Sequence, residues 1–217
     1  MIAGAPGIGK SASVKRFCDN LGQQAQYIQA ARGEGTAWNF ATSMMRLWGG
    51  CFGAPKFNSL AEARFIVARN FGAGCILVVD EAQYLDQKNR KTGQVGEAFE
   101  WLRATADEGA FKLVFCGDLN LPGAIRKMPQ LQSRIRRPVV VTEATRADVA
   151  AIVRGTAFEA PAFLDALHAI ARKAGGLRNV ENIATIAQLF AGDGVPTLAH
   201  VKAAIIDMKL APKGASK

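Results

Sequence analysis

Gly4-Ala5-Pro6-Gly7-Ile8-Gly9-Lys10-Ser11 is the stretch whose reading decides the fold. Its spacing, Gly, four residues, then Gly-Lys-Ser, is that of a loop that cradles phosphate groups. Glycines let the backbone curl until successive N–H groups point inward at phosphate oxygens. The helix expected to begin near Lys10 adds the positive end of its dipole. In such a loop Lys10 reaches the β- and γ-phosphates and the Ser11 hydroxyl ligates Mg²⁺. The cofactor-binding stretch is therefore Gly4, Ala5, Pro6, Gly7, Ile8, Gly9, Lys10, Ser11 and the adjoining Ala12, and the expected cofactors are ATP and Mg²⁺.

The matching half of this machinery is Ile76-Leu77-Val78-Val79-Asp80-Glu81. Four apolar residues before two carboxylates describe a buried parallel strand that delivers acid groups at its C-terminal end. Ligands of open α/β sheets bind at that end. Asp80 is the expected metal-binding residue with Ser11, and Glu81 the expected general base that polarises the attacking water.

Working outward, strands are expected over 24–30, 75–79, 111–116 and 138–141, with helices over 36–47, 60–70 and 95–106. Alternation of this kind implies an α/β fold, a parallel sheet with helices on both faces. After Thr142 only helical patterns remain. Thr145-Arg146-Ala147-Asp148 has the form of a capping box, 161–174 and 177–191 are helical, and Thr197 caps a last helix ending near Lys209. The expected domains are a nucleotide-binding α/β domain over 1–142 and a small all-helical lid over 143–217, its tail frayed. Only Met1-Ile2-Ala3 precede the loop. The first central strand is thus expected to be truncated, and the chain to begin inside a longer protein.

Hydrophobic residues make up 49% and charged residues 21%, which excludes a disordered chain. No apolar run reaches the roughly 18 residues of a membrane span, so a cytoplasmic protein is expected. Cys18, Cys51, Cys75 and Cys116 lack metal-site spacing and read as free thiols. The net charge of +9 favours a polyanionic partner.

These stretches resemble the AAA+ ATPases and, more narrowly, the phage Mu transposition protein B family of target-DNA-binding ATPases. The general resemblance rests on GAPGIGKSASVKRF and ILVVDEAQYLD. The narrower one rests on EWLRATADEGAFKLVFCGD, LQSRIRRPVVV, TRADVAAIV and GGLRNVENIATIA, in this order and spacing. The resemblance places Asp118 at the sensor-1 position, where relatives often have Asn, with Asn120 two residues on. Arg134 matches the arginine finger that reaches a neighbouring subunit's γ-phosphate, and Arg178 matches sensor 2 on the lid. The competing reading of either arginine is a surface charge. With Lys10 and Glu81, the implied catalytic set is Lys10, Glu81, Asp118, Asn120 and Arg134.

The resemblance further implies ATP-dependent, sequence-tolerant binding of double-stranded DNA by a homo-oligomer or helical filament, and delivery of that DNA to a transposase. Backbone-only binding needs cations and no base-reading code. The candidates are Arg32, Lys88, Arg90, Lys91, Arg126 and Lys127. Trp38 and Trp101 are expected to pack helices onto the sheet, rather than to stack on bases, and His168 and His200 are given no role. Two alternatives share the same motifs: a DNA-binding scaffold that hydrolyses little ATP, and another AAA+ loader such as a helicase loader.

Overall fold

The computed structural model describes residues 1–49, 53–90, 92–173 and 175–211. The chain divides into two units, Met1–Ala3 with Lys10–Val140, and Gly4–Gly9 with Val141–Lys217.

The first unit is built on a five-stranded sheet. Its strands are β1 (Ile2–Gly4), β2 (Ala25–Gln29), β3 (Ile76–Asp80), β4 (Lys112–Gly117) and β5 (Val139–Val141), in the order β2-β3-β4-β1-β5. The pairings β2–β3, β3–β4 and β1–β4 are parallel. Strand β1 has three residues and pairs with β4 through Ile2 opposite Cys116 and Ala3 opposite Gly117. The short first strand read from the sequence thus takes an interior place in the sheet.

Strand β3 is buried on both faces, as its unbroken apolar run requires. The two-residue period of a strand assigns its side chains to two different cores. Val78 packs with Cys116 and with Val14 and Cys18 of helix α1 (Lys10–Leu21). Leu77 and Val79 join the larger core under helices α2 (Ala37–Met45), α3 (Leu60–Phe71) and α4 (Glu97–Gly109). The same phase puts Asp80 on the α1 side, two residues beyond Val78.

Two expectations are corrected by the structure. Trp38 does not pack α2 onto the sheet. The buried positions of α2 are Ala37, Phe40, Ala41, Met44 and Met45, an i, i+3, i+4 stripe, and residue 38 falls about 100° off it. Its side chain is 46% exposed. Trp101, by contrast, is buried and donates from Nε1 to the Leu60 carbonyl at 3.1 Å. The helix expected from Val95 starts at Glu97, because Gly96 sits at φ 74° and Val95 bridges back to Lys88. Two short helices, α5 (Leu121–Arg126) and α6 (Pro129–Gln132), and a 3₁₀ turn at Ala82–Leu85 complete the unit in stretches for which the sequence pattern gave no assignment. Cys18, Cys75 and Cys116 are free thiols, and Cys51 lies outside the described residues.

The second unit holds α7 (Arg146–Ile152), α8 (Pro161–Ala171), α9 (Gly176–Ala191) and α10 (Leu198–Asp207). Its own core of Val149, Leu167, Val180, Ile183, Ala187, Val201 and Ala204 is fully buried. Both expected caps form. Thr145 and Asp148 close a reciprocal box on α7, and at α10 the Thr197 N–H donates to His200 Nδ1 at 3.2 Å. His200 is thereby a helix cap.

Candidate nucleotide site

Within the first unit, Lys10 and Ser11 open α1 and Asp80 closes β3. Asp80 is fully buried and gathers donors from four directions. The Tyr27 hydroxyl donates to Oδ2 at 2.8 Å and the Glu81 N–H to Oδ1 at 2.9 Å. The Ser11 hydroxyl and the Cys116 thiol complete the set. Burial pushes the carboxyl upward, but the bonds from Ser11, Tyr27, Cys116 and the Glu81 N–H outweigh it and hold it below its ordinary value. The Cys116 thiol is pushed up to about 12 by burial and by the Asp80 charge, so it stays a protonated donor. Burial and the same carboxylate keep the Tyr27 hydroxyl protonated as well.

The donor chemistry fits Mg²⁺. An ionised carboxylate next to a serine hydroxyl offers hard oxygen ligands, and Mg²⁺ takes few protein ligands when phosphate and water fill the rest. No group of three or more His, Cys, Asp or Glu able to form an all-protein cage occurs among the described residues. A metal held here would therefore lean on phosphate oxygens.

Glu81 follows in the left-handed region at φ 52°. A non-glycine residue there costs on the order of 1–3 kcal/mol and marks a position fixed by its surroundings. Gln83 holds it, donating from Nε2 to Glu81 Oε2 at 2.5 Å. The other end of that amide accepts the Asp118 N–H at 3.1 Å. Asp118 in turn accepts from the Asn120 N–H at 2.8 Å and its side-chain amide at 3.0 Å. The pair is thus a closed turn, with Asn120 serving the Asp118 carboxylate.

In the second unit, Gly7 and Gly9 adopt φ 78° and 86°, as the curled loop demands. The Ala5 N–H donates to the Val141 carbonyl at 3.0 Å, and Gly7 O accepts from the Arg178 N–H at 3.1 Å. A Cβ on Gly7 would lie 1.9 Å from the Gly175 carbonyl oxygen. The loop backbone is therefore seated on the start of α9, whose Arg178 side chain is exposed. Pro6 is exposed and Ile8 half-buried, while Ala12, in the first unit, lies on the outer side of α1.

The other basic candidates separate. Arg134 is exposed and ion-paired with Asp107. Lys127 pairs with Asp86 at 2.7 Å. Arg32 lies 6.0 Å from the Tyr84 ring centre, and Arg126 is exposed at the end of α5. Lys88 and Arg90 are exposed on the rim of a cleft and enter no ion pair among the described residues. Lys91 lies outside the described residues.

Tyr27 and Gln83 were not singled out in the sequence, and Cys116 was read only as a free thiol. Only strand register brings Tyr27, opposite Val78, and Cys116, one step past the Val79–Phe115 pair, to either side of Asp80. Gln83 carried a local signal, lying two residues beyond Glu81.

A family model described as "AAA domain" matches residues 1–125. The chain belongs to the AAA domain family. A second model, "Mu B transposition protein, C terminal", matches residues 133–208 of this AAA protein. Comparison with curated proteins gave no match. Among solved structures, the Aeropyrum pernix ORC2 protein in its ADPNP-ADP complexes is 16% identical, with TM-score 0.68 over 100% of this chain and 62% of that one. The Aeropyrum pernix ORC1 protein in complex with DNA is 19% identical, with TM-score 0.62 over 95% and 58%. Cdc6p from Pyrobaculum aerophilum is 16% identical, with TM-score 0.60 over 88% and 54%. At these identities the likeness is one of fold, and the AAA chain spans about three fifths of the length of the first two structures. None of its described helices is long and apolar enough to cross a membrane.

Proposed function

We propose that this AAA protein is an ATP-dependent DNA-binding ATPase of transposition. It would bind duplex target DNA without sequence preference as an oligomer and present it to a transposase. The observation that carries the nucleotide half is the Ser11–Asp80 hydrogen bond directly downstream of the glycine loop. The transposition half rests on the Mu B C-terminal model over residues 133–208. The ORC1 relative solved with DNA lends support to a nucleic-acid partner.

In this reading the backbone N–H groups of Gly4–Gly9 bind phosphate oxygens and Lys10 neutralises the β- and γ-phosphates. Ser11 and Asp80 hold Mg²⁺, which when bound spreads the phosphate charge and lowers the barrier to displacement. Glu81 orients and deprotonates the attacking water, with Gln83 fixing its carboxylate. Asp118 and Asn120 form the polar turn beside it. Arg134 leaves Asp107 to reach a neighbouring subunit's nucleotide, and Arg178 acts from the helical unit, which serves as the lid. Arg32, Lys88, Arg90, Lys91 and Arg126 contact phosphates. Lys127 is the weakest of these candidates, because moving it would strip Asp86 of its partner.

The test is ATP hydrolysis by the chain and by Glu81→Gln, with and without duplex DNA, followed by transposase recruitment. Turnover that depends on Glu81 and DNA, with transposase brought to DNA, is expected. Turnover indifferent to Glu81 identifies a DNA scaffold, and recruitment of a helicase instead identifies a loader.

A further inference from the structure

The first unit carries a cleft of about 880 Å³ between the start of α2 and the segment that follows β3. Trp38 stands on its wall with its indole nearly half exposed. Phe57 braces the indole from one side, its ring centre 4.7 Å away at a tilt of 53°. Thr42 fixes the backbone below by donating to the Trp38 carbonyl at 2.9 Å. An exposed, braced aromatic at a cleft mouth is an ordered platform, because little rotamer freedom remains to be lost when something stacks on it.

The charges around it sort by sign. Glu97 and Glu100 also line the cleft; Glu100 is ion-paired, and Glu97 keeps its charge but is tied down by neutral donors. Glu97 accepts from Asn89 Nδ2 at 2.7 Å and Thr92 Oγ1 at 2.5 Å, and Glu100 accepts from Arg103 at 2.9 Å. Lys88 and Arg90 are the cations on its rim, and neither enters an ion pair among the described residues. Gly35 keeps the wall tight: a Cβ there would lie 2.4 Å from Gln87 Cβ, so the loop carrying Arg32 is packed against the segment carrying Lys88 and Arg90.

Duplex backbone binding uses cations and has no need of an aromatic face, since paired bases hide theirs in the stack. An indole beside two cations suits a strand whose base is free to stack. We propose that this cleft binds an unpaired nucleotide of DNA, its base on Trp38 and its flanking phosphates on Lys88 and Arg90. The proposal rests on the DNA-binding reading above. It adds that the protein prefers DNA with a locally opened base over fully paired duplex.

Fluorescence anisotropy with three labelled DNAs tests it: a paired duplex, the same duplex with a central three-nucleotide gap, and a single strand. Each is titrated with the wild-type chain, Trp38→Ala, Trp38→Phe and Lys88→Gln/Arg90→Gln, all checked for unchanged melting. Trp38→Ala is expected to weaken gapped and single-stranded binding by about 5- to 100-fold. It should leave paired duplex within about twofold, and Trp38→Phe should recover most of the loss. The double cation variant should weaken all three DNAs. Equal losses on duplex and gapped DNA, or none on either, overturn the cleft assignment while leaving duplex binding intact. A wild-type chain that binds none of the three DNAs overturns both readings.

Discussion

The Tyr27 hydroxyl, from the strand next to β3, donates a 2.8 Å hydrogen bond to the Asp80 carboxylate. It favours a protonated phenol and an ionised carboxylate, the state a metal ligand requires. Tyr27→Phe should therefore preserve the fold but loosen Asp80. Hydrolysis at limiting Mg²⁺ is expected to drop about three- to tenfold and to recover as Mg²⁺ is raised, because one charge-assisted bond is lost and the metal can offset it. Activity titrated against Mg²⁺ checks this; an equal loss at all Mg²⁺ concentrations would assign Tyr27 another role.

Acid stability follows from the same carboxyl. Its folded value lies below the ordinary 3.8, so its contribution is complete above that value and disappears as pH falls through the folded one. Tyr27→Phe moves the folded value upward and shrinks the contribution. Urea midpoints measured from pH 6 to pH 3 should show the variant's deficit at pH 6 narrowing toward pH 3.

Gly7→Ala should weaken nucleotide binding at least tenfold, from two causes acting together. The residue needs φ 78°, and its methyl would meet the Gly175 carbonyl. Binding of a fluorescent nucleotide, beside a melting curve, measures the effect.

Arg134→Ala separates structure from chemistry. The ion pair with Asp107 is half exposed on both sides, so stability should change by no more than about 0.5 kcal/mol. If Arg134 completes a neighbour's site, turnover falls by about 10³ or more while nucleotide binding persists. Melting temperature and kcat, measured on one preparation, distinguish the two roles.

Thr145→Ala removes a helix cap at the start of the helical unit and should cost about 1 kcal/mol. Asp148, held low first by the Thr145 side chain, then rises toward its ordinary value. The acid side of the melting profile checks this, since the variant should lose less stability than the parent between pH 6 and pH 3.

What could be read in advance was local. The glycine loop declares itself because a phosphate cradle constrains backbone conformation at fixed spacings, and β3 because a doubly covered strand has no polar side. The Thr145–Asp148 box and the Thr197 cap were legible because capping acts over three residues, but the part of His200 at the second was not. The companions of Asp80 were not, since Tyr27 and Cys116 are distant in sequence and meet it only through register. Trp38 was misread because residue type suggested burial where helical phase forbade it. The true start of α4 depended on the positive φ of Gly96, whose Cβ would lie 2.8 Å from Met128 Sδ, a crowding that no local pattern reveals.

Gln83 gives with one end of its amide and receives with the other, toward Glu81 and the Asp118 backbone. Turning that planar group over would sever both attachments in a single motion, because donor and acceptor exchange places together. The strained glutamate and the turn after β4 are thus yoked like two pans on one beam. A displacement of either would strain or break its bond to the shared amide.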